Sequence, residues 1–244
     1  MNYNDQKNKL IGLAGETNLW GLNIGTELTY RKNTSLKTVA GLNLLIDSDK
    51  PARGDTVGAL VNAVKLLPKT PLWEAGEVAV ELAYSKVQKV TYNPGLNGTG
   101  AFFTGSPVGT GAGYQNVGSP LCWTAANAPG GSEKNGCISK NGAWIISANF
   151  QPRWLQVYPG VDLSAPMFIT YGLKGNANAA TIAEKQYLYQ IGIQADIRQK
   201  YVIKLAYTGG HSPNETTAGG GVTGAGTWWQ NDRGWLNLSL KASF

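Results

Sequence analysis

The feature that most constrains the fold is an alternation of apolar and polar residues that recurs along the chain. In the segment 21–31, most even-numbered residues from Leu22 to Tyr30 are apolar, and the odd-numbered residues are polar or glycine. Because successive side chains of a β-strand project to opposite sides, this pattern predicts a strand with one apolar and one polar face. The same pattern predicts strands at 77–91, 161–172, 186–198, 201–208 and 234–244.

Three further strands are predicted from less regular patterns, at 9–18, 55–67 and 143–158. Both faces of 55–67 carry apolar residues, so its orientation stays open. Pro152 lacks the N–H that a sheet requires, and we expect it to mark a bulge or the end of its strand. The sequence therefore predicts nine strands in total.

The composition disfavours other classes of protein. Charged residues make up 15% of the chain, against about 25% in soluble domains. The 32 glycines argue against a helical bundle, because each costs about 1 kcal/mol inside a helix. No apolar stretch approaches the roughly 18 residues of a transmembrane helix. The net charge of +6 comes from scattered residues rather than from a basic stripe, so nucleic-acid binding is not expected.

The connections between the predicted strands alternate between short and long. Tight turns fall near residues 20, 160 and 200, and longer connections cover 32–54 and 209–232. Short turns on one side and long loops on the other are typical of outer-membrane barrels. We therefore predict an all-β, antiparallel transmembrane β-barrel as a single domain over 1–244, with a long extracellular loop at about 92–142, in the outer membrane of a Gram-negative bacterium.

Aromatic residues fall near the ends of the predicted strands, on their apolar faces. Such residues favour the membrane–water interface, where the ring contacts lipid and the polar tip contacts water. The alternative is that aromatic residues simply favour β-strands. We prefer an interfacial girdle, formed by Tyr30, Tyr84, Trp144, Tyr171, Tyr187, Tyr201 and Tyr207.

The polar faces supply the candidate lumen-facing residues. Their mixed charge would either line a channel or hold the interior together through ion pairs, and the second reading is the safer one because polar interiors are common to barrels. The candidates are Glu27, Arg31, Glu81, Gln190, Gln194, Asp196, Lys204 and Lys241.

No catalytic or cofactor site is predicted. The one histidine, His211, has Ser212 and Glu215 nearby, but all three fall in a predicted loop that cannot hold a triad geometry. Gly219, Gly221 and Gly224 match the spacing of a dinucleotide fingerprint but lack the strand and helix that the fingerprint requires. A metal site is not expected, and the chain is predicted not to be an enzyme.

Two cysteines, Cys122 and Cys137, fall in one segment rich in Gly, Asn, Ser and Pro. Their confinement to one loop predicts a local disulfide in an oxidising compartment. Free thiols or a partial metal site are the alternatives.

Four segments carry a resemblance to a known family. LIGLAGETNLWGLNIGTELTYRKN (Leu10–Asn33), GDTVGALVNAVKLL (Gly54–Leu67), TPLWEAGEVAVELAYSKVQKVT (Thr70–Thr91) and DRGWLNLSLKASF (Asp232–Phe244) resemble the bacterial outer-membrane family catalogued as domain of unknown function 1302. These motifs are structural rather than catalytic.

The resemblance implies a role in the cell envelope. It implies association with a periplasmic lipoprotein-carrier-like protein and an RND-type exporter, and movement of hydrophobic molecules. The expected surroundings are outer-membrane lipid and lipopolysaccharide. The end of the chain resembles the signal read by the barrel-assembly machinery, through Leu236, Leu238, Leu240 and Phe244.

The strand count carries an expectation about completeness. Bacterial single-chain barrels have an even number of strands with both ends periplasmic, and the pattern here gives nine. We expect preceding strands to be missing, a sheet that stays open between 9–18 and 234–244, and poor insertion by the chain alone. The expected function is channel-like passage or handling of small hydrophobic molecules. A structural or adhesive surface protein and a soluble β-sandwich binding module are the alternatives.

Overall fold

The computed structural model describes residues 7–36, 53–92, 138–139, 141–178, 182–216, 222–224 and 227–243. The elements are the strands β1 (Lys9–Leu19), β2 (Leu22–Ser35), β3 (Arg53–Leu67), β4 (Ala75–Tyr92), β5 (Ala143–Tyr158), β6 (Val161–Ser164), β7 (Met167–Lys174), β8 (Tyr187–Ile197), β9 (Tyr201–His211), β10 (Asn214–Thr216), β11 (Val222–Gly224) and β12 (Trp235–Ala242), with one 3₁₀ turn at Trp228–Gln230. In these ranges, no helix is long and apolar enough to cross a bilayer.

Ten of the strands form one antiparallel sheet. Its order is β1-β2-β3-β4-β5-β6-β8-β9-β12, and β7 pairs with β5 and β8. β10 and β11 form a separate two-stranded sheet. The predicted all-β antiparallel fold is confirmed. A β-sandwich needs a second large sheet to cover an apolar face, and the described residues form no such sheet.

Tight turns set one end of the sheet. The β1–β2 turn has positive φ at Trp20 (53°) and Gly21 (74°), and the β8–β9 turn has positive φ at Arg198 (52°) and Gln199 (56°). Two central residues with positive φ define the type I′ turn, whose twist matches that of paired strands. We call this end, with connections 20–21, 68–74, 159–160 and 198–200, the turn end. The opposite end, with connections 36–52, 93–142, 175–186 and 212–234, is the loop end.

The predicted strand 161–172 is interrupted in the middle. β6 and β7 keep one register against β8, with Leu163 opposite Ala195 and Met167 opposite Ile191. The interruption falls at residues 165–166, because Pro166 has no N–H to donate. The Pro166 carbonyl still accepts from the Gly192 amide at 3.0 Å, so the two segments occupy one strand position.

The expectation for Pro152 is wrong. β5 continues through Pro152 to Tyr158 without ending there. The Pro152 carbonyl accepts from the Ala165 amide at 3.0 Å, so the proline remains part of the ladder. The irregularity lies further along, between Trp154 and Tyr158. There Gln156 has φ 49°, and its amide donates to the Asp162 carboxylate at 2.7 Å.

The sheet has two free edges. β1 pairs with β2 alone and β12 pairs with β9 alone among the described residues. The predicted open seam between these strands is therefore confirmed. Both edge strands are exposed at every residue, and both run from the loop end toward the turn end.

Apolar burial is slight and lies at the loop end. Leu36, Val87 and Ile138 form the buried cluster, with Val90 against it. Ile138 precedes β5, and Leu36 follows β2. Neighbouring connections are tied together by backbone contacts, since the Ser139 amide donates to the Asn176 carbonyl at 3.0 Å. The described parts of the loops therefore contact one another above the strands.

Candidate functional site

The strand register divides the large sheet into two faces. The apolar face carries Ile24 and Leu28 of β2, Ile191 of β8 and Leu238 of β12, which the pairing places on one side. The polar face carries the residues between them. For the ambiguous strand β3, the pairing of Leu60 with Glu27 and Ala83 puts Leu60 on the polar face.

Along β8, β9 and part of β7, the exposure of the two faces is the reverse of that in a soluble protein. On the apolar face, Ile191 is 53% exposed and Ile193 is 52% exposed. On the polar face, Thr170 is 6% exposed and Thr208 is 5% exposed. A protein in water gains about 25 cal/mol per Å² of apolar surface that it buries, so these isoleucines would be placed unfavourably in water. The reversed arrangement suits a chain whose apolar face contacts lipid.

Side chains on the polar face bond to one another. Lys204 Nζ donates to Gln190 Oε1 at 3.1 Å, and Gln190 Nε2 donates to Thr208 Oγ1 at 3.0 Å. On the neighbouring strands, Ser147 Oγ donates to Thr170 Oγ1 at 3.0 Å. These bonds run across adjacent strands and fix side chains on the polar face.

All eight predicted lumen-facing residues lie on the polar face. The pairings Glu27–Leu60, Glu81–Asn62, Gln194–Lys204 and Lys241–Val202 place them there, as does the alternation along each strand. Among these eight described residues, a side-chain hydrogen bond joins Lys204 and Gln190. No ion pair joins any two of the eight, so the structure does not show the interior ion pairs that the sequence favoured.

One pair of aspartates on the polar face has no ion-pair partner among the described residues. Asp162 and Asp196 lie directly opposite each other on β6 and β8. The Asp162 carboxylate accepts from the Gln156 amide, whereas the buried Oδ1 of Asp196 has no hydrogen-bond partner. Like charges at facing positions destabilise a strand pair.

A concavity of about 900 Å³ lies over the polar face near the turn end of β1–β3. Its lining includes two carboxylates, Glu16 and Glu27, and three side-chain amides, Asn18, Asn23 and Asn62. The Asn62 carboxamide oxygen accepts from the Gly25 amide at 3.2 Å, and Asn18 Nδ2 donates to Asn23 Oδ1 at 2.6 Å. The two carboxylates make the lining of the concavity acidic.

Apolar side chains are interspersed on the polar face, although the sequence pattern indicated only polar candidates there. Phe168 lies opposite Asn149 and Gln190, and it is 40% exposed. Trp235 lies opposite Thr208 at the edge of the sheet. Parity within the predicted strand 161–172 puts Phe168 on the face opposite Met167 and Ile169, but the pattern does not show that an aromatic ring lies there among polar groups.

The turn between β3 and β4 contacts β5 through several polar groups. Glu74 Oε2 accepts from the Leu155 amide at 2.7 Å, and Lys69 Nζ lies 3.3 Å from Glu74 Oε1. The Trp154 indole N–H donates to the Leu72 carbonyl at 2.8 Å. The Leu155 amide bond first, and then Lys69, hold the pKa of the Glu74 carboxyl below its usual range.

A second polar cluster joins β2, β3 and β4 at the loop end. Asp55, 1% exposed, accepts from the Tyr30 hydroxyl at 2.9 Å and from the Asn33 amide at 3.0 Å. Lys89 Nζ lies 3.5 Å from the same carboxylate. Arg53 Nη1 donates to the Asn33 carbonyl at 3.1 Å. This cluster fixes the strand irregularities between Arg53 and Thr56.

His211, Ser212 and Glu215, which were considered above for catalysis, lie at the end of β9 and in the residues that follow it. His211 is the last residue of β9, not part of a loop, and its ring lies 6.0 Å from that of Tyr187. Ser212 is buried, with its amide bonded to Asn231. Gly224 ends β11, and Gly219 and Gly221 lie outside the described residues.

Of the four residues that resemble an assembly signal, three are described by the structure and one is not. Leu236, Leu238 and Leu240 lie on the apolar face of β12 and are exposed, whereas Phe244 lies outside the described residues. So do Cys122, Cys137 and most of the predicted 92–142 loop. In the described part of the chain, no three His, Cys, Asp or Glu side chains group as metal ligands.

Comparison with known proteins gives one family and a structural likeness. The profile of a family described as "Protein of unknown function (DUF1302)" matches residues 1–244. No curated protein matches the chain in sequence. A solved structure of OmpT (in-vitro folded, trimer form), an outer membrane protein of Vibrio cholerae, aligns with a TM-score of 0.43 and 9% identity. The alignment covers 97% of this chain and 55% of that one, so the chain spans about half of its length.

Proposed function

Because the chain belongs to the DUF1302 family over residues 1–244, whose function is unknown, we propose that it is a Gram-negative outer-membrane β-barrel protein that passes small, partly hydrophobic molecules. The observation that carries this proposal is the reversed exposure of the two faces. Exposed isoleucines and leucines on one face oppose buried threonines on the other.

The apolar face supports the location in a membrane. Strands such as β8 and β9 have 11 residues, and a tilted transmembrane strand needs about 9–11. Tyr187 and Tyr207 lie on this face toward the loop end, where their rings would meet the interface. In a bilayer, paired strands also satisfy the backbone groups that lipid cannot.

The polar face supports the class of transported molecule. A surface that served small ions alone would not need apolar side chains among its polar groups. Here Leu60 and Phe168 share a face with the amides of Asn62 and Gln190. Ligand sites commonly combine an apolar lining with a few placed polar groups, and a partly hydrophobic molecule fits that mixture.

We also propose the partners, and these rest on the family resemblance alone. The barrel-assembly machinery would read the end of β12, where Leu236, Leu238 and Leu240 stand exposed on one face. A periplasmic lipoprotein-carrier-like protein and an RND-type exporter would deliver or remove the hydrophobic molecule.

A permeation assay tests the proposal. The protein is inserted into liposomes, and swelling is compared for phenyl glucoside and for a disaccharide of similar size. We expect faster entry of the phenyl glucoside. The double variant Leu60→Gln/Phe168→Gln should slow its entry and leave disaccharide entry unchanged, because only the apolar contacts are removed. The matched control, Leu60→Met/Phe168→Leu, keeps the apolar lining and should behave as wild type.

Two outcomes would contradict the proposal. Inserted protein that admits neither solute would favour the structural or adhesive alternative. Failure to insert, together with solubility without detergent, would remove the membrane location itself.

A further inference from the structure

Charged side chains are sorted along β1–β4. The turn half of these strands and their 68–74 connection carry mostly acids: Glu16, Glu27, Glu74, Glu77 and Glu81, against Lys65 and Lys69. The loop half carries almost only cations: Lys7, Lys9, Arg31, Lys32, Arg53, Lys86 and Lys89, against Asp55. This wall of the sheet is therefore basic at the loop end and acidic at the turn end.

The one acid in the loop half of β1–β4, Asp55, already has hydrogen-bond and ion-pair partners. Asp55 accepts from Tyr30 and from the Asn33 amide, and Lys89 lies within ion-pair distance. Its side chain is buried against these partners, so it is not available to a further cation. The remaining cations of this end face no carboxylate of the described strands.

Three of these cations lie on the apolar face. Lys9 and Lys32 are directly opposite each other on β1 and β2, which brings their Cβ atoms to about 5 Å. Lys86 shares the face from β4, where it lies opposite Val57. Among the described residues, none of the three ammonium groups has a hydrogen-bond or ion-pair partner. We call Lys9, Lys32 and Lys86 the lysine triad.

The position of the lysine triad matches the height of lipid headgroups. Tyr30 and Tyr84 lie on the same face. Along its own strand, each is two residues closer to the turn end than Lys32 or Lys86. Tyrosine favours the membrane–water interface, so the lysines beyond it would reach the headgroups. Two facing lysines repel each other by their like charge, and an anion held between them removes that cost.

We propose that the lysine triad binds the phosphate groups of lipopolysaccharide in the outer leaflet. This inference rests on the proposed outer-membrane barrel, because it requires the loop end to face the cell exterior. The acids Glu16, Glu27, Glu77 and Glu81 lie on the polar face, so they do not offset the positive charge of the lysine triad on the apolar face. An ammonium group presents three donors that suit a phosphate.

Two measurements on the full chain test the proposal. The need for detergent to keep the chain in solution is measured first, because it depends on the leucines and isoleucines of the apolar face and not on the triad. Binding of bisphosphorylated lipid A to the detergent-folded protein is then titrated by native mass spectrometry. The variant Lys9→Gln/Lys32→Gln/Lys86→Gln should bind about 100-fold more weakly, from roughly one tenfold step or less per lysine at an anionic surface.

The matched control removes three cations from the turn end, as Lys65→Gln/Arg198→Gln/Lys200→Gln. It should bind lipid A as wild type does, and dephosphorylated lipid A should bind wild type and triad variant equally. Equal loss in the control, or wild-type binding that ignores dephosphorylation, overturns the triad while leaving the barrel standing. Solubility of the wild-type chain without detergent overturns the barrel, and the triad with it.

Discussion

A pair of arginine substitutions at adjacent positions of β5 tests which face meets lipid. Ala148 lies on the apolar face, opposite Val80 and Ile169, and Asn149 lies on the polar face, opposite Ala79 and Phe168. The two residues share one strand and one depth. Their substitution by the same side chain therefore isolates the effect of the face.

The two substitutions should lower the free energy of unfolding by different amounts and for different reasons. Ala148→Arg removes a single methyl group, so its cost is that of placing a charge near the middle of the bilayer, about 2–4 kcal/mol. Asn149→Arg should cost little. The acids Glu77 and Glu81 flank Ala79 on the paired strand, and a diagonal neighbour lies within reach of a long side chain.

Urea unfolding in lipid vesicles measures both free energies, each as a difference from wild type. A destabilisation by Ala148→Arg that exceeds that of Asn149→Arg by about 2 kcal/mol or more is expected on the transfer cost. Equal costs at the two positions, or a larger cost at Asn149, would refute the assignment of the faces. Gln190 is a poorer control, because its amide already bonds to Thr208 and Lys204.

Two further predictions concern polar contacts toward the ends of the sheet, and a third concerns the cysteine pair. The pKa of Glu74 is lowered in the folded state, so its contribution to stability is full at neutral pH and is lost as the pH falls through that folded-state value. The stability gap between wild type and Glu74→Gln should therefore close on acidification, and a gap that widens would be inconsistent with the bond to Leu155. Asp55→Asn removes a charge that accepts from Tyr30 and Asn33, so we expect a loss of about 1.5–3 kcal/mol and faster hydrogen exchange at the Asn33 amide, and unchanged exchange would contradict it. Cys122 and Cys137 should be bonded in protein from an oxidising compartment, with a stabilisation of about 3 kcal/mol for a loop of roughly 15 residues, and alkylation of both thiols without prior reduction would disprove the bond.

The local pattern of the sequence determined the strands and their faces. Alternation with a period of two is a property of neighbouring residues, so it located β2, β4, β8 and β12 to within a few residues. It also put Glu27, Gln190 and Lys204 on the polar face, because a residue's parity within a strand fixes its side. The glycine content disfavoured a helical bundle, and the scattered basic residues disfavoured nucleic-acid binding.

Only the tertiary structure decided what depends on pairing between strands. The side of Leu60 follows from its partners in β2 and β4, and the position of Phe168 opposite Asn149 and Gln190 follows from pairing with β5 and β8. The pairing of Lys9 with Lys32 depends likewise on the register of two strands. Register and sheet closure are set by hydrogen bonds between residues distant in sequence, and a slip of one residue would reverse every side chain of a strand. The sequence of one strand does not specify which residues of the neighbouring strand lie opposite. The faces could therefore be predicted, and the contacts between strands could not.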